Sequence, residues 1–263
     1  MTRVAKAALR SLELARLIQD SIRADAGRGR DVERIGTFIA TFHRDDPNPF
    51  LNYAIPEENA RPAPSDVDAL VAAYLERDRQ PRLEYLPELA GAVESALSDR
   101  GFIVEGRLPL LICASSADVI ESEVSGIELL SPSTDAEFRA VATVQWEAYQ
   151  ERGDVPERVV EGLRRSAEAG GVVILARDAA SEAAGAGQCT PPSNGLTELT
   201  SVGVRQHFRR RGIAQALSSR LASDAFAKGA TSVFLMARGE SEARIYERSG
   251  FRREGEVLHI SLP

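Results

Sequence analysis

Residues 196–217, "LTELTSVGVRQHFRRRGIAQAL", pass from a β-branched, alternating stretch through three arginines and a glycine into an apolar run of four-residue period. No other passage constrains the fold as much, because it requires a strand that turns almost at once into a helix. Ile213, Leu217, Leu221 and Ala225 keep the period until Gly229, a residue suited to the left-handed stop of a helix. A helix start carries the positive end of the backbone dipole, so Arg209, Arg210 and Arg211 belong there only if an anion sits among them. First-turn amides have no partner inside a helix, and small residues at Gly212 and Ala214 let a ligand approach the backbone. A pyrophosphate is the natural occupant. The plainer alternative is a solvated helix start in an arginine-biased chain. Lysine occurs only at Lys6 and Lys228, which leaves 30 arginines among 32 basic residues.

Around this turn the pattern predicts a strand "GIELLSP", then a helix capped by Ser133, Thr134 or Asp135 and running toward Gln150. A second helix follows from near Val155 or Pro156 to the Gly170–Gly171 pair, then a strand "GVVILARD" and two strands about "PPSNG". After the long helix come a strand "TSVFLMA", a short helix in "SEARIYERSG", and two strands, "FRREG" and "EVLHISLP". A shortened version of this order precedes it. "VERIGTFIATFHRD" and "PFLNYAIP" read as a strand pair, "SDVDALVAAYLERDR" as a helix, "PRLEYL" as a strand and "PELAGAVESALSDRG" as a helix, with "FIVEG" and "RLPLLICA" as closing strands. A shift of 149 residues lays Gly101, Phe102, Glu105 and Gly106 on Gly250, Phe251, Glu254 and Gly255. This reads as an internal repeat with halves 1–126 and 127–263, although helix, glycine, aromatic, strand is also a common ending in its own right. Where the second half has "HFRRRGIA", the first has "PEENARPAP", and Glu57 and Glu58 there would repel an anion.

The chain has 263 residues, 43% hydrophobic and 27% charged, with a formal net charge of −7. That balance excludes a general electrostatic grip on nucleic acid or anionic lipid, and no aromatic stacking platform accompanies the arginines. Cys113 and Cys189 stand far apart without CxxC or histidine spacing, so neither a disulfide framework nor a metal site is expected, and a reducing cytoplasm fits. The N-terminal segment has charges in every turn, unlike a signal peptide or membrane span. It is expected to form an amphipathic helix with Leu9, Leu12, Ile18 and Ile22 near one stripe. "GAGQCT" at Gly185–Thr190 lacks the third glycine of a dinucleotide fingerprint and opens no helix.

The combination of strand, R-x-x-G-x-A at Arg209, Gly212 and Ala214, and helix resembles the coenzyme A signature of the GNAT N-acetyltransferase superfamily. "ARIYERSGFRREG" adds a second matching piece. The resemblance covers about residues 127–263. It implies an α+β fold with a mixed, mostly antiparallel central sheet flanked by helices, here in two similar halves, the first degenerate. It further implies acetyl-CoA as co-substrate, with the amides of Arg210, Arg211, Gly212, Ile213 and Ala214 around the pyrophosphate. Val202, Gly203 and Val204 would pair with the pantetheine arm like an added strand and offer an amide to the thioester carbonyl. Tyr246 would give a proton to the thiolate leaving group, the alternative being an aromatic half-buried at a helix edge. One departure is that Gly239 stands where relatives often carry asparagine.

Amine acylation needs a proton acceptor. Glu198 shares strand alternation with Val202 and Val204 and could serve directly or through a water; a plain strand carboxylate, exposed or paired with arginine, is the competing reading. A strand bulge would change its face. His207 is a second titratable candidate, and Cys189 lacks a visible base. The expected activity is direct acyl transfer to a small-molecule or peptide amine by a monomer or homodimer, without nucleic acid or membrane partners. A non-catalytic acyl-CoA-binding or interaction module is the alternative. Glu147, Glu151, Asp154 and Glu157 would suit a cationic acceptor or simply form a solvated face.

Overall fold

The computed structural model describes residues 3–150 and 153–263; Glu151 and the Leu9 side chain lie outside the described parts. The chain divides into two compact units, Met1–Leu110 with Glu254–Pro263, and Leu111–Arg253.

The first unit opens with helix α1 (Arg3–Ala26), followed by strands β1 (Asp31–Ile35), β2 (Phe38–Phe42) and β3 (Ala54–Pro56), helix α2 (Pro64–Leu75), strand β4 (Arg82–Tyr85), helix α3 (Val93–Ser98) and strand β5 (Ile103–Cys113). Ala15, Ile18, Ile22 and Ala26 form the buried stripe of α1, with Leu12 half-buried. "VERIGTFIATFHRD" is not one strand of a pair but a hairpin by itself: Gly36, at φ +55°, turns β1 back on β2 with Ile35 opposite Phe38. β3 joins β2 antiparallel and β4 parallel, at Ala54 opposite Leu83. Although β4 reads "RLEY", all four residues are buried. Arg82 achieves this by donating to Glu84, to both carboxylate oxygens of Glu105 (3.2 and 3.0 Å) and to His259 Nδ1 at 2.9 Å. Between β3 and β4, Gln19 of α1 is 2% exposed and bridges the strands. Its Oε1 accepts from the Leu86 amide at 2.9 Å, and its Nε2 donates to the Pro56 carbonyl at 3.4 Å.

The second unit holds β6 (Ile127–Leu130), α4 (Asp135–Ala148), α5 (Glu157–Glu168), β7 (Val172–Asp178), β8 (Ala183–Cys189), β9 (Leu196–Val204), α6 (Ile213–Ala227), β10 (Ser232–Met236) and α7 (Glu240–Glu247). β11 (Arg252–Ser261) follows, and its residues from Glu254 on belong to the first unit, where Leu258–Ser261 pair antiparallel with β4. The strand order in the second unit is β10-β9-β8-β7-β6, antiparallel except for the parallel β10–β9 contact. An α+β fold with a mixed sheet flanked by helices is thus the observed class. β5 and β11 each run unbroken where two strands were expected. Gly106 and Gly255 sit mid-strand without the positive φ of a turn, and both strands lie inside the sheet order.

Helix α6 lies on β7, β8 and β9 through Ile213, Leu217, Leu221 and Ala225, all buried with Val172, Ile174, Ala184 and Leu199. Its close seat explains two strand glycines: a Cβ on Gly185 would meet Leu217 Cδ1 at 3.0 Å, and one on Gly187 would meet Leu221 Cδ1 at 2.8 Å. On the other face, α4 and α5 cover Val173, Leu175 and Ala186 with Phe138, Val141, Val160 and Leu163.

Candidate functional site

Two departures from regular pairing create the site. β9 opposes β8 with Thr200 at Gln188 and Gly203 at Ala186, so Ser201 and Val202 together face Gly187 in a β-bulge. Ser201 takes φ +56°, and its carbonyl accepts from Gln145 Nε2 at 3.1 Å, a bond that holds this otherwise unfavourable conformation. The bulge interrupts alternation, so Glu198 does not inherit a shared face with Val202 and Val204. On its other side β9 pairs with β10 only from Leu196 to Glu198, the last pair being Phe234 with Glu198. Beyond that pair the two strands part, and the edge of β9 up to Val204 faces a cavity of about 490 Å³.

At one end of that cavity the chain turns into α6. Arg210 and Gly212 adopt φ +62° and +85°, the conformations that reverse the chain between strand and helix. The first amide to close a helical turn is that of Ala216, onto the Gly212 carbonyl at 3.1 Å. Those of Ile213, Ala214 and Gln215 precede it, and no side chain caps the helix. Val202, Gly203, Val204, Arg209, Arg210, Gly212, Ile213 and Ala214 all line the cavity, so nearly the whole expected binding set converges. Arg211 does not; its guanidinium lies over the Phe208 ring at 5.3 Å. Among the described residues neither Arg209, Arg210 nor Arg248 has a carboxylate partner. Arg209 Nε donates to the Val204 carbonyl at 3.1 Å, and Arg248 exchanges bonds with Gln215. Uncompensated guanidiniums, bare amides and the helix dipole thus face one space.

Tyr246, on α7, is 7% exposed and packs edge-on against Phe251 at 6.2 Å. It lies one residue from Ile245 and four from Glu242, both of which line the cavity, but is not itself part of the lining. Burial pushes its pKa up, with the Glu242 carboxylate adding to the effect, so the phenol stays protonated at neutral pH. Glu198 is half-buried on β9 beside Phe234. His207 Nε2 lies 2.9 Å from Glu182 and outside this cavity. Cys189 is fully buried with its thiol pushed up by burial, the opposite of an activated nucleophile. Two of the four acids near α4 are engaged: Arg205 grips Glu147 at 2.8 and 3.1 Å, and Arg139 pairs with Glu157.

Sequence reasoning missed Gln145, Tyr149 and Arg238. Gln145 carries a legible signal, a polar residue amid the apolar Val141, Ala142 and Val144 of one helix face. Tyr149 and Arg238 carry none, since their contact, guanidinium 4.4 Å from the ring centroid, joins positions distant in sequence. Among the described residues no group of three or more His, Cys, Asp or Glu could hold a metal, and no helix is long and apolar enough to cross a membrane.

Comparison with known proteins agrees with this geometry. The sequence pattern of the acetyltransferase (GNAT) family matches residues 138–251. An acetyltransferase from Sodalis glossinidius is 41% identical over 59 residues, which are 22% of this chain and 42% of that relative. The match therefore spans less than half of the relative's length. Among solved structures, a GCN5-related N-acetyltransferase from Kribbella flavida superposes with a TM-score of 0.79 over 95% of each chain at 23% identity. A tandem GNAT protein from the clavulanic acid biosynthesis pathway superposes with a TM-score of 0.61 over 85% of this chain and 77% of its own at 11% identity.

Proposed function

Since the chain belongs to the GNAT superfamily, through a domain that includes residues 138–251, we propose that it moves an acetyl or other small acyl group from acyl-CoA to an amine within a ternary complex. The observation that carries this reading is the single cavity shared by the parted edge of β9 and the uncapped start of α6. The cavity suits the donor: a diphosphate fits the amides of Ile213, Ala214 and Gln215 with Arg209 and Arg210 beside them. An extended amide-bearing arm fits the unpaired edge at Val202–Val204. Bound acyl-CoA supplies an activated thioester.

The protein's own residues then perform positioning and proton transfer. An edge amide of β9 stabilises negative charge on the thioester oxygen as the amine nitrogen attacks the carbonyl carbon. The C–S bond breaks, and Tyr246 gives its proton to the departing sulfur, a role consistent with a phenol held neutral. Glu198 takes the proton lost by the nitrogen, directly or through a water. Residues 127–263 form the catalytic half in this reading. Residues 1–126 form a degenerate partner half, in which Glu57 and Glu58 replace the arginine turn and Gln19 occupies the gap between β3 and β4.

Calorimetry with acetyl-CoA, followed by release of free coenzyme A thiol over a panel of amines, tests the proposal. Saturable binding plus turnover of one amine class is the expected result. Binding without turnover would instead indicate an acyl-CoA-binding module, and no binding at millimolar acetyl-CoA would overturn the reading.

A further inference from the structure

Two arginines flank α7 along one wall of the cavity: Arg238 just before it and Arg248 just after, both lining the space. Eight helical residues span about 12 Å, so the two guanidiniums serve different ends of the wall. Arg248 belongs to the diphosphate end through its mutual bonds with Gln215, whose amide is one of the uncapped three. Arg238 stands at the other end, four residues beyond Phe234, the last β10 residue paired to β9.

The surroundings of Arg238 are those of a built site. Its guanidinium rests 4.4 Å from the centroid of Tyr149. Tyr149 follows Ala148, which packs so closely on β9 that a Cβ on Gly203 would meet its Cβ at 2.6 Å. The pair therefore reaches from the β10 side of the gap to the β9 side. Glu242, the nearby carboxylate of α7, accepts from the Arg238 backbone amide at 2.6 Å, and among the described residues no carboxylate pairs with the guanidinium. Several arginines of this unit outside the cavity are matched to acids, as Arg177 is to Glu128 and Arg253 is to Glu240. A planar cation with its position set by the Tyr149 side chain, to which it also donates a hydrogen bond, and with no carboxylate partner suits a carboxylate, which it can bond through two parallel N–H groups. A plain acetyl group needs no such partner, and a polycationic acceptor would be repelled. Glu147 and Glu157, two of the acids that would draw such a cation, are already paired with their own arginines.

Resting on the acyl transfer proposed above, we infer that Arg238, positioned by Tyr149, is a specificity residue that reads a carboxylate carried close to the reacting carbonyl. That carboxylate belongs either to an amino-acid-like acceptor or to the far end of a dicarboxylic acyl group. Two arms separate these sources. In the donor arm, affinities for succinyl-CoA and acetyl-CoA are compared by calorimetry. In the acceptor arm, coenzyme A release from acetyl-CoA is compared between free L-amino acids and their α-carboxamides. The expected result is a preference of about tenfold or more for the carboxylate partner in one arm, falling to near unity in Arg238→Gln and partly restored in Arg238→Lys. Arg248→Gln instead weakens both donors in proportion, because it acts at the shared diphosphate end. A flat ratio in both arms, or an intact ratio in Arg238→Gln, overturns the assignment. If acetyl-CoA binds normally while the ratio is flat, only the role of Arg238 falls. If acetyl-CoA does not bind the unaltered protein, the acyl-CoA reading falls and takes this assignment with it.

Discussion

At the scale of single residues, Tyr246 shows how environment sets chemistry. In water a phenol is a poor acid, and burial beside Glu242 makes it poorer still, yet for a proton donor to a departing thiolate the requirement is only to arrive protonated and close. Tyr246→Phe removes the hydroxyl and little of the packing against Phe251, so the fold should persist. Turnover is expected to fall about 100-fold with the KM for acetyl-CoA nearly unchanged, in line with the usual contribution of a positioned acid. Steady-state rates within a factor of two of the unaltered protein across the pH range would remove the acid role. The arginine and glycine turn was legible in the sequence because its residues are contiguous and each has a local reason to be there. Arg238 was not legible, since its meaning comes from Tyr149, ninety or so positions earlier, and from the absence of an ion partner.

At the scale of elements, helices with local start signals were readable and strands that depend on partners were less so. Helix α4 begins where Thr134 accepts from the Glu137 amide at 3.3 Å while Glu137 accepts from the Ser133 and Thr134 amides at 2.8 and 3.0 Å. These amides hold the Glu137 pKa down to about 2, against an ordinary 4.5. The unfolded chain therefore takes up this proton first. The stabilisation is complete above about pH 4.5 and is lost as pH falls through the folded value near 2. Glu137→Gln keeps an acceptor but cannot titrate. Thermal melting from pH 7 to 2 should show the unaltered protein losing more of its Tm than the variant below pH 4.5; parallel curves would exclude this cap as the source of the loss. By contrast, the bulge in β9 depends on Gln145 of another element, and the unbroken course of β5 and β11 depends on neighbouring strands. No local pattern of alternation encodes either one.

At the scale of the whole molecule, the proposed division into a catalytic half and a degenerate half raises the question of how many donors one chain binds. Both units place a parallel strand pair at the relevant point, β9 with β10 in one and β3 with β4 in the other. In the second unit the gap beyond the pair opens to the cavity and an uncapped helix start. In the first unit a carboxamide from α1 already makes the hydrogen bonds that an amide-bearing ligand would make, and Arg23 Nη2 adds a further bond to the Pro56 carbonyl at 3.3 Å. The acids that follow β3 are paired as well, Glu57 with Arg34 and Glu58 with Arg16. Glu57 and Glu58 are readable in the sequence as residues that would repel an anion. Gln19 is not readable in its role, because a polar residue on an amphipathic helix looks like a solvated one until its burial is seen. One acetyl-CoA per chain is therefore expected by calorimetry, with hydrogen exchange slowed at 200–215 and 238–248 and unchanged at 54–60 and 83–89. Gln19→Ala should lower stability by about 1–3 kcal/mol, since it strands the buried Leu86 amide, without raising the stoichiometry while the arginine turn is missing. A stoichiometry near two, or protection appearing in the first unit, would show that its gap still admits a donor.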